Sequence, residues 1–271
     1  MIRDYLTTEL KPCFTDSDLF NQVDDLQGEV YRQVASRRTF KINLVGRDYF
    51  VKVHHGVGWA EIFKNLLQGR LPVLGARNEW RAIKRLTERG VPTMTASLYC
   101  ERGLNPATLR SAIVTESLEP TISLEDYTTE DPLQKRRVLS EVARVSREMH
   151  TAGVNHRDFY LCHFLMQESE LMEPQLFLID LHRAQVRSRV PLRWQVKDLG
   201  GLLFSAFDKH LTQRDLLRFV RIYSGKTLKE ALADKALWKA VRNRAKKLYL
   251  QDHDTVPADI EKLLSTIGDL G

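Results

Sequence analysis

The segment VNHRDFYLCHFL, residues 154–165, concentrates side chains that can do chemistry. It places His156, Arg157 and Asp158 in succession, and His163 follows the aspartate five residues later. A plain turn is built from Gly, Pro or Asn, so this set of residues indicates a functional loop. Asp158 must be exposed to reach a ligand from such a loop; the alternative is an ordinary loop carboxylate.

Two further charged residues stand within or directly after apolar β-type segments. Lys52 is the only charge in YFVKV, residues 49–53. An unpaired ammonium would be costly there, so we expect a carboxylate or phosphate partner; the alternative is an edge-strand lysine that faces water. Asp180 ends the apolar run FLI, where a buried strand would deliver a hard oxygen ligand that suits Mg²⁺.

The first half of the chain is predicted to be β-rich. Its first 28 residues are predicted to form a loosely packed lead-in. Alternating or apolar runs then predict five antiparallel strands, at residues 30–34, 39–45, 49–53, 91–98 and 111–116. Residues 46–48 would link the second strand to the third, and helices are predicted at residues 59–68 and 76–89.

The second half is predicted to be mainly helical. A long helix begins at Asp131-Pro132 and ends at Gly153. A hairpin precedes Asp180, and the chain beyond Val190 reads as helix. These patterns predict a domain boundary near residue 118, with an N-lobe at residues 1–118 and a C-lobe at residues 119–271.

The order of these features resembles the protein-kinase-like superfamily. The motifs NEWRAI, NHRDFYLCHFL, IDLHRA and VKDLGGLLFSAFD are together similar to those of the bacterial lipopolysaccharide core heptose(I) kinases, the RfaP/WaaP family. The resemblance covers the chain from about Gly28 to about Leu250. It implies an α+β, two-lobed protein-kinase-like fold, with an N-terminal antiparallel five-stranded sheet and a mainly helical C-terminal lobe.

The resemblance also implies a site for ATP and Mg²⁺. Lys52 would bind the α- and β-phosphates, and its carboxylate partner would be Glu79, with Glu61 on the earlier helix as the competitor. Asp158 would orient the acceptor hydroxyl group and accept its proton. Asp180 would hold the Mg²⁺ that bridges the phosphates.

Other positions would support this chemistry. His156 is expected to brace the catalytic loop and the strand that ends at Asp180. Asp198 in VKDLGG is expected to hold the same loop by accepting backbone N–H bonds. Glu116 to Leu118, after the fifth strand, is expected to be the hinge whose main chain meets adenine.

Two positions depart from the kinase pattern. His163 stands where kinases commonly place Asn; it would be a second metal ligand, although imidazole binds Mg²⁺ less well than oxygen does, or it would hydrogen-bond a phosphate. Ala35-Ser36-Arg37-Arg38 replaces a glycine-rich loop between the first two strands. Arg37 or Arg38 would supply charge to the phosphates there, or the segment is a solvated hairpin tip.

Composition limits the class of protein. The chain has 271 residues, 43% of them hydrophobic and 28% charged, as in a globular domain. Its three cysteines lack C-x-x-C spacing, which argues against a disulfide framework or a zinc site and suits a reducing compartment. MIRDYLTTEL carries charges unlike a signal peptide, and no apolar run approaches the ~18 residues of a spanning helix. We therefore expect a cytosolic protein, or one that lies on a membrane without crossing it. The family resemblance implies a cytoplasmic protein that is peripheral on the cytoplasmic face of the inner membrane.

The charge distribution predicts anionic partners. Residues 209–247 hold twelve Lys or Arg and three Asp or Glu, a net charge of +9 within a chain of net charge +6. From its charge alone, such a surface could meet nucleic acid, anionic membrane or an acidic protein such as acyl carrier protein, or it could simply be a solvated helical surface. The Trp59–Gln68 stripe could likewise lie in a bilayer interface or pack on the protein's own core.

The family resemblance implies ATP-dependent phosphorylation of heptose I on a lipid A–core oligosaccharide acceptor, and no nucleic acid is expected as a partner. One alternative is a protein kinase. Another is a catalytically inactive kinase fold that binds anionic membrane or nucleic acid, which the carboxylates at 158 and 180 weigh against.

Overall fold

The computed structural model describes residues 4–15, 17–34, 36–69, 71–167 and 173–267. The chain forms two compact units. The first comprises Met1–Lys84, Met94–Leu118 and Asp180–Arg183, and the second comprises Arg85–Thr93, Glu119–Ile179 and Ala184–Gly271. The short segment Asp180–Arg183 therefore belongs to the first unit, although the chain on both sides of it belongs to the second.

The first unit is built on an antiparallel sheet of six strands in the order β1-β5-β6-β4-β3-β2. The strands are β1 (Asp4–Leu6), β2 (Glu29–Val34), β3 (Arg37–Leu44), β4 (Arg47–His54), β5 (Ala96–Arg102) and β6 (Arg110–Glu116). The sequence predicts five strands, and the strand that it misses is β1. This strand pairs with β5 from Asp4↔Cys100 to Leu6↔Leu98. The fourth predicted strand, residues 91–98, is displaced toward the C-terminus as β5.

Within the described part of the first 28 residues, Leu10 and helix α1 pack against the sheet, so the prediction of a loose lead-in is wrong. Helix α1 (Leu19–Asp25) begins at Asp18, whose side chain accepts a hydrogen bond from the N–H of Phe20 at 3.1 Å. Leu10, Phe20 and Val23 have no exposed surface and belong to the core beneath the sheet.

The link between β3 and β4 is a two-residue turn rather than residues 46–48. Val45 and Gly46 both have positive φ, 47° and 76°, as a tight hairpin of the I′ type requires. The turn fixes the register of the strands, so Lys52 lies opposite Thr39 on β3 and opposite Ile113 on β6. Lys52 is therefore on a strand with neighbours on both sides, not on an edge.

Two helices stand between β4 and β5: α2 (Gly58–Leu67) and α3 (Arg77–Glu88). The apolar stripe of α2 packs on the core only through Ile62, which is 5% exposed. The large apolar residues that α2 leaves exposed are Trp59, Phe63, Leu66 and Leu67. The alternative that the whole stripe packs on the protein's own core is therefore wrong.

The second unit is mainly helical. Its helices are α4 (Pro132–Thr151), α5 (Leu192–Ser205), α6 (Gln213–Ser224), α7 (Leu228–Leu232), α8 (Lys235–Tyr249) and α9 (Ala258–Ser265). Its strands are β7 (Thr121–Ser123), β8 (Val154–Asn155), β9 (Phe164–Gln167), β10 (Leu176–Leu178) and β11 (Gln185–Val186). The strands form two small antiparallel sheets, β10-β9-β7 and β11-β8.

Helix α4 begins as the sequence predicts. Pro132 occupies the first turn, and the side chain of Asp131 accepts a hydrogen bond from the N–H of Leu133 at 2.9 Å. Helices α5 and α8 pack closely at Gly200, where an added Cβ would lie 2.5 Å from Cγ of Arg244. This packing positions α5, which carries Asp198.

An apolar cavity of about 420 Å³ lies in the second unit. Its walls include Leu139, Val142, Leu203, Phe219 and Trp238, and the side chains of Lys135 and Lys209 also line it.

Among the described residues, no helix is both long enough and apolar enough to cross a membrane.

Candidate functional site

In the first unit, Lys52 lies between two carboxylates. Its Nζ is 2.7 Å from Oε1 of Glu79, in the first turn of α3, and 3.2 Å from Oδ1 of Asp180. Glu79 has no exposed surface, and Lys52 is largely buried. Glu61, the competing carboxylate, contacts Lys64 and Asn65 on its own helix.

These contacts keep both the lysine and the aspartate charged. Burial by itself lowers the pKa of Lys52, but the carboxylates of Glu79 and Asp180 outweigh burial and raise it above its ordinary value. Burial likewise raises the pKa of Asp180, but the hydrogen bond from His182 and the charge of Lys52 hold it well below its ordinary value. At neutral pH Asp180 is therefore a carboxylate beside an ammonium.

Asp180 has an unusual backbone conformation. Its φ is 55°, in the left-handed region that few residues other than glycine adopt. His182, two residues later, is hydrogen-bonded through Nδ1 to Oδ1 of Asp180 at 2.7 Å. Because a carboxylate can only accept, Nδ1 carries the proton, and this bond fixes the orientation of the carboxylate. Sequence reasoning missed His182, for which the spacing D-x-H after an apolar strand was the available signal.

In the second unit, Asp198 holds the loop that carries Asp158. The backbone N–H groups of His156 and Arg157 each donate to Asp198, to Oδ2 and Oδ1 respectively, at 2.8 Å. His150 Nε2 lies 3.3 Å from Oδ2. Asp198 is 1% exposed, so a buried carboxylate fixes the N–H groups of the two residues that precede Asp158. Arg157 has φ of 76°, a strained conformation that these bonds help to maintain.

The two histidines of the loop have different hydrogen bonds. His156 donates through Nε2 to the carbonyl oxygen of Ile179 at 2.9 Å, which ties the loop to the residue after β10. His163 donates through Nδ1 to the carbonyl oxygen of Asp158 at 2.6 Å, and its ring stacks on that of His156 with centroids 5.3 Å apart. Because a carbonyl oxygen can only accept, Nδ1 of His163 carries a proton.

Arg37 and Arg38 lie within β3 and not in a loop, which corrects the predicted link at residues 35–38. They pair with Val34 and Gln33 of β2, so the link is Ala35-Ser36, of which Ala35 lies outside the described residues. Arg38 donates to the carbonyl oxygen of Leu26 at 3.2 Å and packs over the ring of Phe40. Arg37 lies opposite His54 on β4. Arg38 is therefore used to hold the chain after α1 against the sheet.

Glu116 ends β6, and Leu118 ends the segment Met94–Leu118 of the first unit. The backbone N–H of Glu116 donates to the carbonyl oxygen of Thr95, and that of Ser117 donates to the carbonyl oxygen of Asp48. The side chain of Glu116 accepts from Ser97 at 3.3 Å. The sheet thus uses these two N–H groups before the chain reaches Leu118.

Sequence reasoning also missed His54, which lies two residues after Lys52 on β4. It is 6% exposed, and burial, followed by the charges of Arg37 and Lys52, lowers its pKa to about 3. A neutral imidazole thus lies beside the lysine at ordinary pH. The described residues contain no group of three or more His, Cys, Asp or Glu side chains that could hold a metal ion by themselves.

A lysine on the antiparallel sheet is held by a glutamate of a helix, and the His-Arg-Asp loop is held separately. These features define a phosphotransferase with a protein-kinase-like fold. The sequence profile of the lipopolysaccharide kinase (Kdo/WaaP) family matches residues 21–223. The chain belongs to this family.

Individual relatives agree with this assignment. The chain is 49% identical to the lipopolysaccharide core heptose(I) kinase WaaP of Pseudomonas aeruginosa, over 92% of this chain and 96% of that protein. It is 48% identical to the enzyme of the same name from Escherichia coli, over 84% and 89% of the two chains. A solved structure of WaaP in complex with acyl carrier protein superposes with a TM-score of 0.79 at 44% identity, covering 92% of this chain and all of that one.

Proposed function

We propose that the protein transfers the γ-phosphoryl group of ATP to a hydroxyl group of heptose I, on a lipid A–core oligosaccharide. The observation that carries this proposal is the placement of Lys52 between Glu79 and Asp180, in a chain 49% identical to a heptose(I) kinase. Phosphoryl transfer asks a protein mainly to hold phosphates, neutralise charge and align the acceptor.

Lys52 would bind the α- and β-phosphates of ATP. Its raised pKa keeps the ammonium charged, and the contact with Glu79 fixes the position of Nζ. Because Glu79 is fully buried, its carboxylate is expected to stay with Lys52 rather than move to a ligand. Glu79 is thus a positioning residue, and Lys52 makes the phosphate contact.

Asp180 would hold Mg²⁺. Its chemistry fits, since the carboxylate is ionised and is a hard oxygen ligand, and protein sites for Mg²⁺ commonly use one or two carboxylates together with phosphate oxygens and water. When bound, the ion neutralises charge on the phosphates. His163 fits less well because imidazole is the poorer ligand, and its hydrogen bond to the carbonyl oxygen of Asp158 at 2.6 Å instead supports the catalytic loop.

Asp158 would align the acceptor hydroxyl group and accept its proton. The position of Asp158 depends on Asp198, which accepts hydrogen bonds from the N–H groups of the two preceding residues. It also depends on the hydrogen bond from His163 to the carbonyl oxygen of Asp158. The hinge Glu116–Leu118 would meet adenine. Since the sheet uses the N–H groups of Glu116 and Ser117, this contact falls to the N–H of Leu118 and to carbonyl oxygens.

The test is transfer to a defined acceptor. Purified protein is incubated with ATP, Mg²⁺ and core oligosaccharide that lacks phosphate on heptose, and the product is analysed by mass spectrometry and phosphorus NMR. We expect one added phosphate on heptose I. Phosphate transferred to protein substrates but not to the saccharide would contradict the proposal and favour a protein kinase.

We further propose that α2 lies on an anionic membrane surface, the cytoplasmic face of the inner membrane. Trp59 and Phe63 are stacked and half exposed, and Leu67 is 89% exposed. Exposed aromatic and leucine side chains on one short helix are suited to the boundary between headgroups and acyl chains. The basic surface of residues 209–247 would add attraction to anionic headgroups.

Vesicle flotation tests the membrane contact. The paired change Leu66→Ser and Leu67→Ser should reduce binding to anionic vesicles several-fold. Leu104→Ser removes a comparably exposed leucine from a loop elsewhere in the first unit and should leave binding unchanged. Equal loss in both variants, or no loss in either, would contradict a role for α2.

Acyl carrier protein is a further proposed partner. The neighbour WaaP was solved in complex with this protein, and residues 209–247 carry a net charge of +9 that complements an acidic carrier. We propose that the acyl group of the carrier enters the apolar cavity of the second unit, whose volume of about 420 Å³ lies in the range of ligand pockets.

Binding of purified carrier tests this partner by size-exclusion chromatography. We expect the acylated carrier to bind more tightly than the unacylated one, and Lys239→Glu to weaken binding. Arg89→Glu reverses an exposed charge outside residues 209–247 and should have little effect. Equal affinity for both forms of the carrier would exclude the cavity as the acyl site.

A further inference from the structure

Four cationic side chains surround the ring of Trp194, near the start of α5. The Cζ atoms of Arg193, Arg157 and Arg187 lie 5.2, 5.4 and 6.0 Å from the ring centroid, and Nζ of Lys197 lies at 5.4 Å. These residues come from three separate parts of the sequence and all belong to the second unit. The five residues together are called the Trp194 cluster.

The cluster gathers cationic side chains around one aromatic ring. Contact with the aromatic face stabilises each cation, and the four charged groups converge within 6.0 Å of the ring centroid. A multivalent anion bound among them would accept several charge-assisted hydrogen bonds.

The start of α5 adds to the positive potential. Its N-cap is Pro191, which offers no side-chain hydrogen bond, and its first turn contains no acidic residue. The first turns of α6 and α7, by contrast, carry Asp215 and Glu230 in capping boxes. The N–H groups at the start of a helix favour an anion, so they act in the same direction as the four cations.

The backbone connects the cluster to Asp158. Arg157 directly precedes Asp158, is 6% exposed, and has the strained φ of 76° that Asp198 helps to maintain. One braced loop therefore supplies both a cation of the cluster and the aspartate proposed to align the acceptor. An anionic group held at the cluster would fix the acceptor relative to Asp158.

We propose that the Trp194 cluster binds an anionic group, a phosphate or a carboxylate, on the saccharide acceptor, and so contributes to acceptor specificity. This inference rests on the proposed function, because it assigns the anion to the molecule whose hydroxyl group Asp158 aligns. It predicts that the acceptor must carry a negative group close to the hydroxyl that is phosphorylated.

Two exposed arginines of one segment provide a matched test. Arg193 faces Trp194, and Arg189 is a neighbouring exposed arginine outside the cluster. We expect Arg193→Gln to raise KM for the acceptor ~10-fold, the typical effect of one lost charge-assisted hydrogen bond. KM for ATP and kcat should change less than ~2-fold, and Arg189→Gln should resemble wild type in all three.

Modified acceptors identify the group that is bound. The two variants are compared on native acceptor, on enzymatically dephosphorylated acceptor and on acceptor with reduced carboxyl groups. The effect of Arg193→Gln should disappear on the acceptor that lacks the bound anion, and this distinguishes phosphate from carboxylate. An effect that persists on acceptor stripped of both groups, equal effects in both variants, or a raised KM for ATP would overturn the proposal.

Equilibrium binding separates this inference from the proposed function. Acceptor affinity is measured without ATP by titration calorimetry, so it does not depend on turnover. Failure of wild type to phosphorylate the saccharide would refute the proposed function. An acceptor affinity that is the same in wild type and Arg193→Gln would refute the Trp194 cluster as its anion site.

Discussion

Removal of Lys52 should leave a buried carboxylate without its cation. Glu79 has no exposed surface, and its Oε1 lies 2.7 Å from Nζ of Lys52. Breaking a buried pair by removing one partner typically costs about 3–5 kcal/mol, because the remaining charge is uncompensated. We therefore expect Lys52→Met to lower the free energy of unfolding by this amount.

Neutralising the partner should restore much of the loss. In the double variant Lys52→Met/Glu79→Gln the buried group carries no charge, so its stability should exceed that of Lys52→Met alone. Neighbouring groups of this kind show coupling energies of about 0.5–3 kcal/mol, and the burial of Glu79 favours the upper part of that range. Phosphoryl transfer should be absent from both variants, because neither contains the ammonium.

The assay is urea unfolding at pH 7 for wild type, both single variants and the double variant. The exposed pair Lys64–Glu61, with N···O of 3.4 Å, is the control, and its removal should change stability by less than about 1 kcal/mol. Additive effects of Lys52→Met and Glu79→Gln, within about 0.5 kcal/mol, would refute the claim that the two charges depend on each other.

Three further changes test other parts of the structure. The pKa of His54 is about 3 in the folded protein, so just below pH 6.5 only the unfolded chain gains a proton at this residue. Acidification to pH 5 should therefore lower the free energy of unfolding by about 2 kcal/mol through His54. His54→Gln should lose that part of the pH dependence of unfolding. In Asp198→Asn the side chain can accept only one of the two backbone hydrogen bonds. The variant should lose about 1–3 kcal/mol of stability in thermal unfolding, and its kcat should fall. An unchanged kcat would contradict the role of Asp198 in holding the loop. Gly153→Ala should lower Tm more than Gly69→Ala. Both glycines have positive φ, but only at Gly153 would the new Cβ meet a backbone oxygen, that of Arg187 at 2.1 Å. Equal shifts of Tm in the two variants would contradict this explanation.

Some site residues were accessible to sequence reasoning because their local context is unusual. Lys52 is a single charge in an apolar strand, and an apolar run ends at Asp180, so each required a partner or a ligand. The structure places these two residues 3.2 Å apart. Pro132 and Asp131 likewise mark the start of α4, since both signals are local.

Other features depend on contacts between distant segments. Strand β1 has three residues and forms only by pairing with β5, more than 90 residues away along the chain. The stripe of α2 has the same period whether it packs on a core or faces outward, so the pattern could not decide between them. The Trp194 cluster brings Arg157 together with residues some 30–40 positions later in the sequence, and no local motif predicts this contact.

The most direct test of the central claim is the single-turnover rate of transfer to heptose by Asp158→Asn. The substitution keeps the size of the side chain and removes the group proposed to accept the proton, so we expect an unchanged Tm, an unchanged Kd for ATP and a transfer rate at least ~100-fold lower. Transfer at the wild-type rate by the folded variant would contradict the assignment of Asp158 and, with it, the proposed mechanism.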